Sequence, residues 1–406
     1  MRHITDDERR ARLARRHGIA PAYRLPDPVL ATRAMTVLHA TEPPSVYLSL
    51  LARVDDITVD DVDRALYRDR TLVKQLAMRR TVFIFTRDLL PAAWGSASAR
   101  VAVQNRARLV KEVEAAGIAG DGELWLKEAA VAVVARLTDG PPLSAAQLRE
   151  QVPELAGTFH VSPDKKYGGT FQIAPRVLVQ LAVERLIMRA ENGGHWRISR
   201  PTWTVPARWL GDIPDPLPEQ AGYAELVRRW LSTFGPGTTA DIQWWLGSTV
   251  TTVRRALADV DAVQVSLDGG DVGWVLPDDV EPVEPAEPWA ALLPVLDPTV
   301  MGWKQRGFYL GPHAPLLFDT NGNAGTTAWW NGRIVGCWVQ DSAGVVEVRL
   351  VEDVPQAARE ALQIEADRLT GWLGGIRVST VYPSAAMNNA APAVRADRSR
   401  PDVTSR

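Results

Sequence analysis

The stretch Met35-Thr36-Val37-Leu38-His39-Ala40-Thr41-Glu42-Pro43-Pro44-Ser45-Val46-Tyr47-Leu48-Ser49-Leu50-Leu51-Ala52-Arg53 decides how this chain is read. A run of β-branched and aliphatic residues leads into a polar corner, His39-Ala40-Thr41-Glu42. Pro43 disfavours helical geometry at Glu42, so the corner is extended, and a proline suits the first helical position. Ser45 can cap a helix in which Val46, Leu50, Leu51 and Val54 recur at helical spacing. On an extended backbone His39 and Thr41 project to one side and Ala40 to the other. Two polar side chains beside a helix N-terminus can hold a water or an anionic group.

Outward from that stretch, 406 residues exceed one ordinary domain, and roughly two to four are expected. An apolar fraction of 46% is ample for folded cores. No run of about eighteen uncharged apolar residues occurs, and no apolar segment follows the N-terminus. Neither a membrane span nor a signal peptide is expected, and the expected location is cytoplasmic. Cys337 is the only cysteine, which excludes an intramolecular disulfide and a cysteine-based zinc site. The dispersed histidines show no metal-ligand spacing, so no metal and no cofactor are expected. Gly235-Pro236-Gly237 and Asn192-Gly193-Gly194 read as turns rather than phosphate cradles, and no Gly-x-Ser-x-Gly elbow is present.

The net charge of −2 hides an uneven distribution. Residues 64–111 carry eleven Lys/Arg against Asp69 and Asp88, whereas residues 278–287 carry five acids and no base. One basic face on a near-neutral chain suits a nucleic-acid binder, the alternative being a solvated helical surface. Residues 1–24 hold seven arginines and three acids and read as a basic arm or helix.

Three segments then share one order of signals: helix, helix after a short turn, and β-ribbon. In residues 25–120, Thr58-Val59-Asp60-Asp61 is a capping box, a second helix is expected over 69–77, and a strand over 80–85. In residues 121–210, Ser144-Ala145-Ala146-Gln147 opens a helix, 175–186 forms the next, and 187–190 with 195–198 form a hairpin. In residues 215–280, Thr238-Thr239-Ala240-Asp241 caps a helix that Gly247 breaks, 249–257 follows, and 263–267 with 272–276 make the ribbon. That order is the winged-helix pattern. After an acidic, proline-spaced linker, 287–383 reads as short strands, one turning at Asn331-Gly332, with one helix over 356–373 and a last strand over 377–382. The fold class expected is α+β: three tandem winged-helix units followed by a small C-terminal β-barrel. Residues 384–406 lack periodicity and are expected to be disordered.

The opening stretch resembles the start of the AlkZ/YcaQ-type DNA glycosylases, a bacterial family with tandem winged helices. Their signature is a Gln-x-Gln or Gln-x-Asp pair, an acid and a proline, then a Tyr-Leu-x-Leu-x-x-Arg helix. The helix matches as Tyr47-Leu48-Ser49-Leu50-Leu51-Ala52-Arg53. The pair departs: His39 and Thr41 stand where the glutamines would be, with Glu42 at the acid. Residues 293–306 are similar to the family's Leu-Pro-x-x-Asp segment ending in a basic pair; Asp297 and Arg306 are kept, and Gln305 replaces the second acid. The resemblance spans about residues 27–382, through motif order more than identity.

The resemblance implies a monofunctional glycosylase that excises N-alkylated purines, bulky adducts and crosslinks included, from double-stranded DNA. A cationic N7-alkylguanine leaves readily, so what remains is to place a water at C1′ and stabilise an oxocarbenium-like sugar. His39 would orient that water or take its proton when neutral, Thr41 would add a hydrogen bond, and Glu42 would compensate by charge. The alternative for His39 is a structural histidine satisfied by backbone. Expected DNA contacts are Arg53, Arg79, Arg80, Arg108, Lys111, Lys165, Lys166, Arg254, Arg255, Lys304 and Arg306, giving salt-sensitive, sequence-independent binding. Asp297 is expected behind the site, available with Arg306 for pairing or phosphate contact, the alternative being an ion pair that fixes the loop. The alternative function is a non-catalytic winged-helix binder or transcriptional regulator. A regulator normally dimerises to read two half-sites, whereas three fused units suit a monomer.

Overall fold

His39 ends a two-residue strand, Leu38–His39, at the edge of a three-stranded sheet. The structure is a computed structural model and describes residues 1–162 and 168–388. Leu38–His39 pairs antiparallel with Val82–Thr86, which pairs antiparallel with Leu72–Leu76. The helix expected over 69–77 is therefore a strand. Leu72, Val73 and Leu76 fit one turn of an amphipathic helix, but they fit equally a strand covered on both faces, and the ladder to Val82–Thr86 decides between them.

The helix after the corner spans Pro43–Leu51 and begins at Pro43, with Glu42 as its extended N-cap residue. Ser45 thus lies inside the first turn instead of capping it, and its hydroxyl donates to the Val295 carbonyl at 2.7 Å. The capping box at Thr58 and Asp61 forms as expected and opens Val59–Asp63. That helix runs into a π-helical turn, Arg64–Arg68, a geometry that widens one turn and occurs often at functional sites.

Helices Ala97–Ala115 and Gly122–Thr138 lead to a second group. There the capping box of Ser144 and Gln147 opens Ala145–Gln151, and Ala174–Val183 follows. Its sheet orders Leu143–Ser144, Pro201–Thr204 and Met188–Asn192. The second ribbon strand thus falls at 201–204, and residues 195–198 belong to the connecting loop. A further hairpin, Thr158–Val161 with Gly169–Gln172, has no counterpart in the sequence reading. Lys165 and Lys166, expected in a basic loop that could enter a groove, lie outside the described residues.

The third group has the order of elements expected for it: Thr239–Leu246, ended by Gly247 in left-handed geometry, then Val250–Asp259, then Val263–Leu267 paired with Val272–Val275. Glu219–Phe234 precedes them. The N-terminal arm docks on this group. His3–Ile4 adds a parallel strand to Val263–Leu267, and helix Asp6–Arg16 lays Arg12 against Asp279 at 2.7 Å, with Arg16 on the same carboxylate. Several basic side chains of the arm are thereby committed to the acidic linker.

Among the described residues beyond 287 no closed barrel forms. Ala290–Leu293, Thr327–Trp330, Arg333–Gln340 and Val346–Leu350 make an open antiparallel sheet in that order. Helix Gln356–Leu373 packs on it. Segments expected as strands are instead short helices, Gly307–Leu310 and Ala314–Leu317, and 377–382 joins no ladder. Too few strands remain to close a sheet on itself. One hydrophobic core joins the first group, the third group and this sheet, while the second group has its own core around Leu126, Val133, Leu178 and Trp203. Among the described residues no helix is long and apolar enough to cross a membrane.

Candidate nucleic-acid interface

Pairing in the first sheet sets which side chains share a face. Directly opposed residues point the same way, so His39, Phe83 and Gln75 lie on one face, and Leu38, Ile84 and Lys74 on the other. The His39 ring lies 4.7 Å from the Phe83 ring, is 5% exposed, and its Nδ1 has no hydrogen-bond partner among the described residues. Burial and the nearby Arg79 charge lower its pKa to about 3. A histidine so held is neutral at physiological pH and a poor base, but its ring nitrogens can still orient a water.

The strand ends at His39, so alternation does not carry on to Thr41. Thr41 is exposed and lines a cavity with Ala40 and Lys74. Glu42 enters a different cavity of about 170 Å³, beside Leu48, Val295 and Trp338. There it accepts hydrogen bonds from the Thr380 hydroxyl at 2.8 Å and the Val381 amide at 2.6 Å. Burial raises its pKa, with those two bonds opposing. The three residues of the expected catalytic corner thus sit in three different surroundings.

Arg53 is fully buried and does not reach a surface where a phosphate could lie. Its guanidinium grips Asp297 with two bonds, 2.7 and 2.9 Å, and also bonds Thr299 and the Ser49 carbonyl. Its place among the expected DNA contacts is corrected accordingly: Tyr-Leu-x-Leu-x-x-Arg here is a clamp between the end of helix Pro43–Leu51 and the start of the short helix Pro298–Met301, capped by Asp297. Asp297 is the other half of that clamp. Burial would raise its pKa, and the Arg53 charge and bonds more than reverse this, leaving it lowered.

Most of the remaining described basic residues of the expected set lie in two places, with Arg254 and Arg255 apart from both. The hairpin joining Leu72–Leu76 to Val82–Thr86 turns through Met78–Arg80, where Arg79 and Arg80 both have positive φ, 53° and 55°. The Thr81 amide closes the turn on the Met78 carbonyl at 3.0 Å. Such mirror-image turns favour Asn-Gly, and the left-handed region costs a bulky residue roughly 1–2 kcal/mol. Two arginines here depart from the residues such a turn prefers. Arg79 bonds the Trp245 carbonyl at 2.8 Å and lies 4.2 Å over the Trp244 ring. Arg306 approaches the same ring at 5.0 Å and Phe318 at 4.6 Å. Burial and the Arg306 charge lower the Arg79 pKa to about 10, so it stays charged.

Asp241 brings the 303–306 loop to this point, accepting the Lys304 and Gln305 amides at 2.9 and 2.8 Å. Lys304 is exposed beside it and forms no ion pair among the described residues. Through these two bonds the loop is tied to helix Thr239–Leu246. Arg80 points to the other place, a groove it lines with Arg108 and Arg176, where Glu112 pairs with the latter two. Lys111 is exposed on the same helix as Arg108. Arg254 and Arg255 are exposed on Val250–Asp259, Arg255 held by Gln220. Trp244 was missed from sequence; the adjacent Trp244-Trp245 pair on a short helix was the available signal. Lys74 and Arg189, which line the Thr41 cavity, carry no sequence signal for it: Lys74 falls within the helix expected over 69–77, and Arg189 within an expected hairpin strand.

The family model for "DNA glycosylase AlkZ-like" matches residues 32–372. No curated protein matches the sequence. Among solved structures, the Streptomyces sahachiroi DNA glycosylase AlkZ is similar at 17% identity with a TM-score of 0.71, over 93% of this chain and 99% of that one. At that identity the likeness speaks for the fold. The match across 32–372 speaks for descent, and the chain belongs to the AlkZ-like DNA glycosylase family.

Proposed function

We propose that the chain binds double-stranded DNA as a monomer through the Arg79-Arg80 hairpin tip and the Lys304–Arg306 loop, and hydrolyses the N-glycosidic bond of N-alkylated purines. The carrying observation is the tip itself: two consecutive arginines in left-handed geometry, one stacked on Trp244 and one exposed toward the Arg108 groove. Arg108, Lys111, Arg254 and Arg255 would add outer phosphate contacts, with affinity that falls as salt rises.

An N-alkylated purine cation needs no proton to leave. The protein's task is then to hold the sugar, place a water below C1′ and surround the developing positive charge with acceptors. His39, neutral and with a free ring nitrogen, suits the orientation of that water rather than its deprotonation. Thr41 and Glu42 would act from the same corner only if DNA binding draws them together. Incubating the protein with duplex DNA containing N7-methylguanine and scoring free base tests this; release above the spontaneous rate is expected, and its absence removes the excision step.

A second reading has its own support. The divergence of His39, Thr41 and Glu42 into separate surroundings favours a DNA-binding member of the family that no longer excises bases. Tight duplex binding with no base release is the outcome that selects it.

A further inference from the structure

Behind the first sheet, on the face opposite His39, lies a cavity of about 130 Å³ between the first and second groups, lined by Thr41, Lys74, Arg189, Glu191, Asn192 and Ser199. Lys74 comes from the middle of Leu72–Leu76, and its ammonium donates to the Tyr67 hydroxyl at 2.8 Å. The π-helical turn Arg64–Arg68 is what carries Tyr67. Arg189 comes from Met188–Asn192, next to a bulge in its ladder, and its guanidinium lies 4.9 Å from the Trp203 ring. Bulges of this kind re-aim side chains at rims and sites.

Among the described residues neither Lys74 nor Arg189 has a carboxylate within ion-pair distance, and the Arg189 guanidinium makes no hydrogen bond. Two cations that share a cavity repel each other. Burial first, and the Arg189 charge second, lower the Lys74 pKa to about 8, with Asp63 opposing. Glu191 is the one acid in the lining; it is exposed and pairs with neither cation. Asn192 is satisfied by the turn it closes, donating to the Ile198 carbonyl at 2.9 Å and accepting from the Arg200 amide at 2.7 Å. The unused donors are thus those of Arg189 and Lys74, with the hydroxyls of Thr41 and Ser199 in the same lining. A planar fork beside an ammonium, in an enclosed space a few waters across, matches a tetrahedral oxyanion with several acceptor oxygens.

We infer that this cavity is a site for one phosphate group, held by Arg189 and Lys74. Because Thr41, an exposed residue of the corner, is part of its lining, a backbone phosphodiester next to a nucleotide engaged at the corner is the favoured source, and free phosphate shares the same chemistry. The inference does not depend on base excision.

The test uses the full chain. Inorganic phosphate titrated by calorimetry near pH 7 is expected to bind one to one, and Arg189→Met and Lys74→Met are each expected to weaken it about tenfold or more, while Lys74→Arg retains it. In a second arm, duplex DNA affinity is measured against salt. Loss of about one unit of slope in each methionine variant assigns the site to the DNA backbone; phosphate binding with unchanged slopes assigns it to the free ion. A wild-type measurement guards against misfolded variants: the ammonium signal of Lys74, followed by NMR, should titrate near pH 8 and move upward when phosphate is added. No phosphate binding, no movement of that signal and unchanged slopes in folded variants together overturn the inference.

Discussion

Arg53 and Asp297 form a fully buried, two-bond ion pair that joins the end of the helix after the family corner to the short helix Pro298–Met301, which follows the first strand of the C-terminal sheet. Ser49 and Thr299 complete it, and the His17 ring bonds the same Thr299 hydroxyl at 3.0 Å. Removing one partner strands the other charge away from water. Arg53→Met is therefore expected to destabilise the protein by about 3–5 kcal/mol in denaturant melts. A midpoint within error of wild type would show that the pair is not needed for folding.

His17 and His39 are both buried and both held neutral, with pKa values near 3 set first by burial, then by the charges of Arg53 and Arg79 respectively. A folded-state pKa below the unfolded value of 6.5 means that the unfolded chain takes up protons first. Their contribution is complete above about pH 6.5 and is lost as pH falls toward 3, at roughly 1.4 kcal/mol per pH unit per histidine. Thermal melts from pH 7.5 to 5 should decline accordingly, and His39→Gln should flatten the decline. Equal pH sensitivity in the variant would place the proton elsewhere.

The same shift bears on chemistry. A His39 acting as general base would give an excision rate rising through pH 6–7. With its pKa near 3, the rate should show no break there, and His39→Gln should keep most of the activity, since a glutamine can orient water too. A break near pH 6.5 that disappears in the variant would restore the base role.

Arg80 tests the tip. Arg80→Asn relieves left-handed strain and should leave stability unchanged or raise it by up to about 1 kcal/mol. It should also weaken DNA binding and reduce the salt slope by about one. Loss of stability without change in binding would mark Arg80 as structural.

Glu42 behaves in the opposite sense to the histidines. Its raised pKa means that the folded protein favours the neutral carboxyl, so its contribution is present at low pH and lost as pH rises through the folded value. Glu42→Gln keeps a carbonyl oxygen for the Thr380 and Val381 donors. At pH 7.5 the variant should melt at or above the wild-type temperature; a marked fall would show that the charge itself holds the C-terminal segment.

Much of the fold was legible where signals are local. The capping boxes at Thr58, Ser144 and Thr238 and the Gly247 stop all form. The helix Gln356–Leu373 has the bounds its periodicity gave. What failed depended on distant partners. Leu72–Leu76 is a strand only because Val82–Thr86 pairs with it, and the expected barrel lacks strands because 307–317 coils into short helices. The site divides the same way. Arg79 and Arg80 stood out by charge, but their left-handed geometry and the Trp244 ring between Arg79 and Arg306 come from the tertiary fold. Arg53 lay in a motif whose spacing marks its helix and does not reveal that its partner lies 244 residues on. Lys74 and Arg189 meet through two different sheets, which no local pattern encodes.

The most direct measurement is duplex DNA binding by the full-length chain across a salt series, compared with the Arg80→Ala, Arg306→Ala double variant. The wild-type protein should bind with a steep linear salt dependence, and the folded double variant should lose about two units of slope. No binding by the wild-type protein at low salt, or identical slopes for the two proteins, would contradict the interface proposed for this family member.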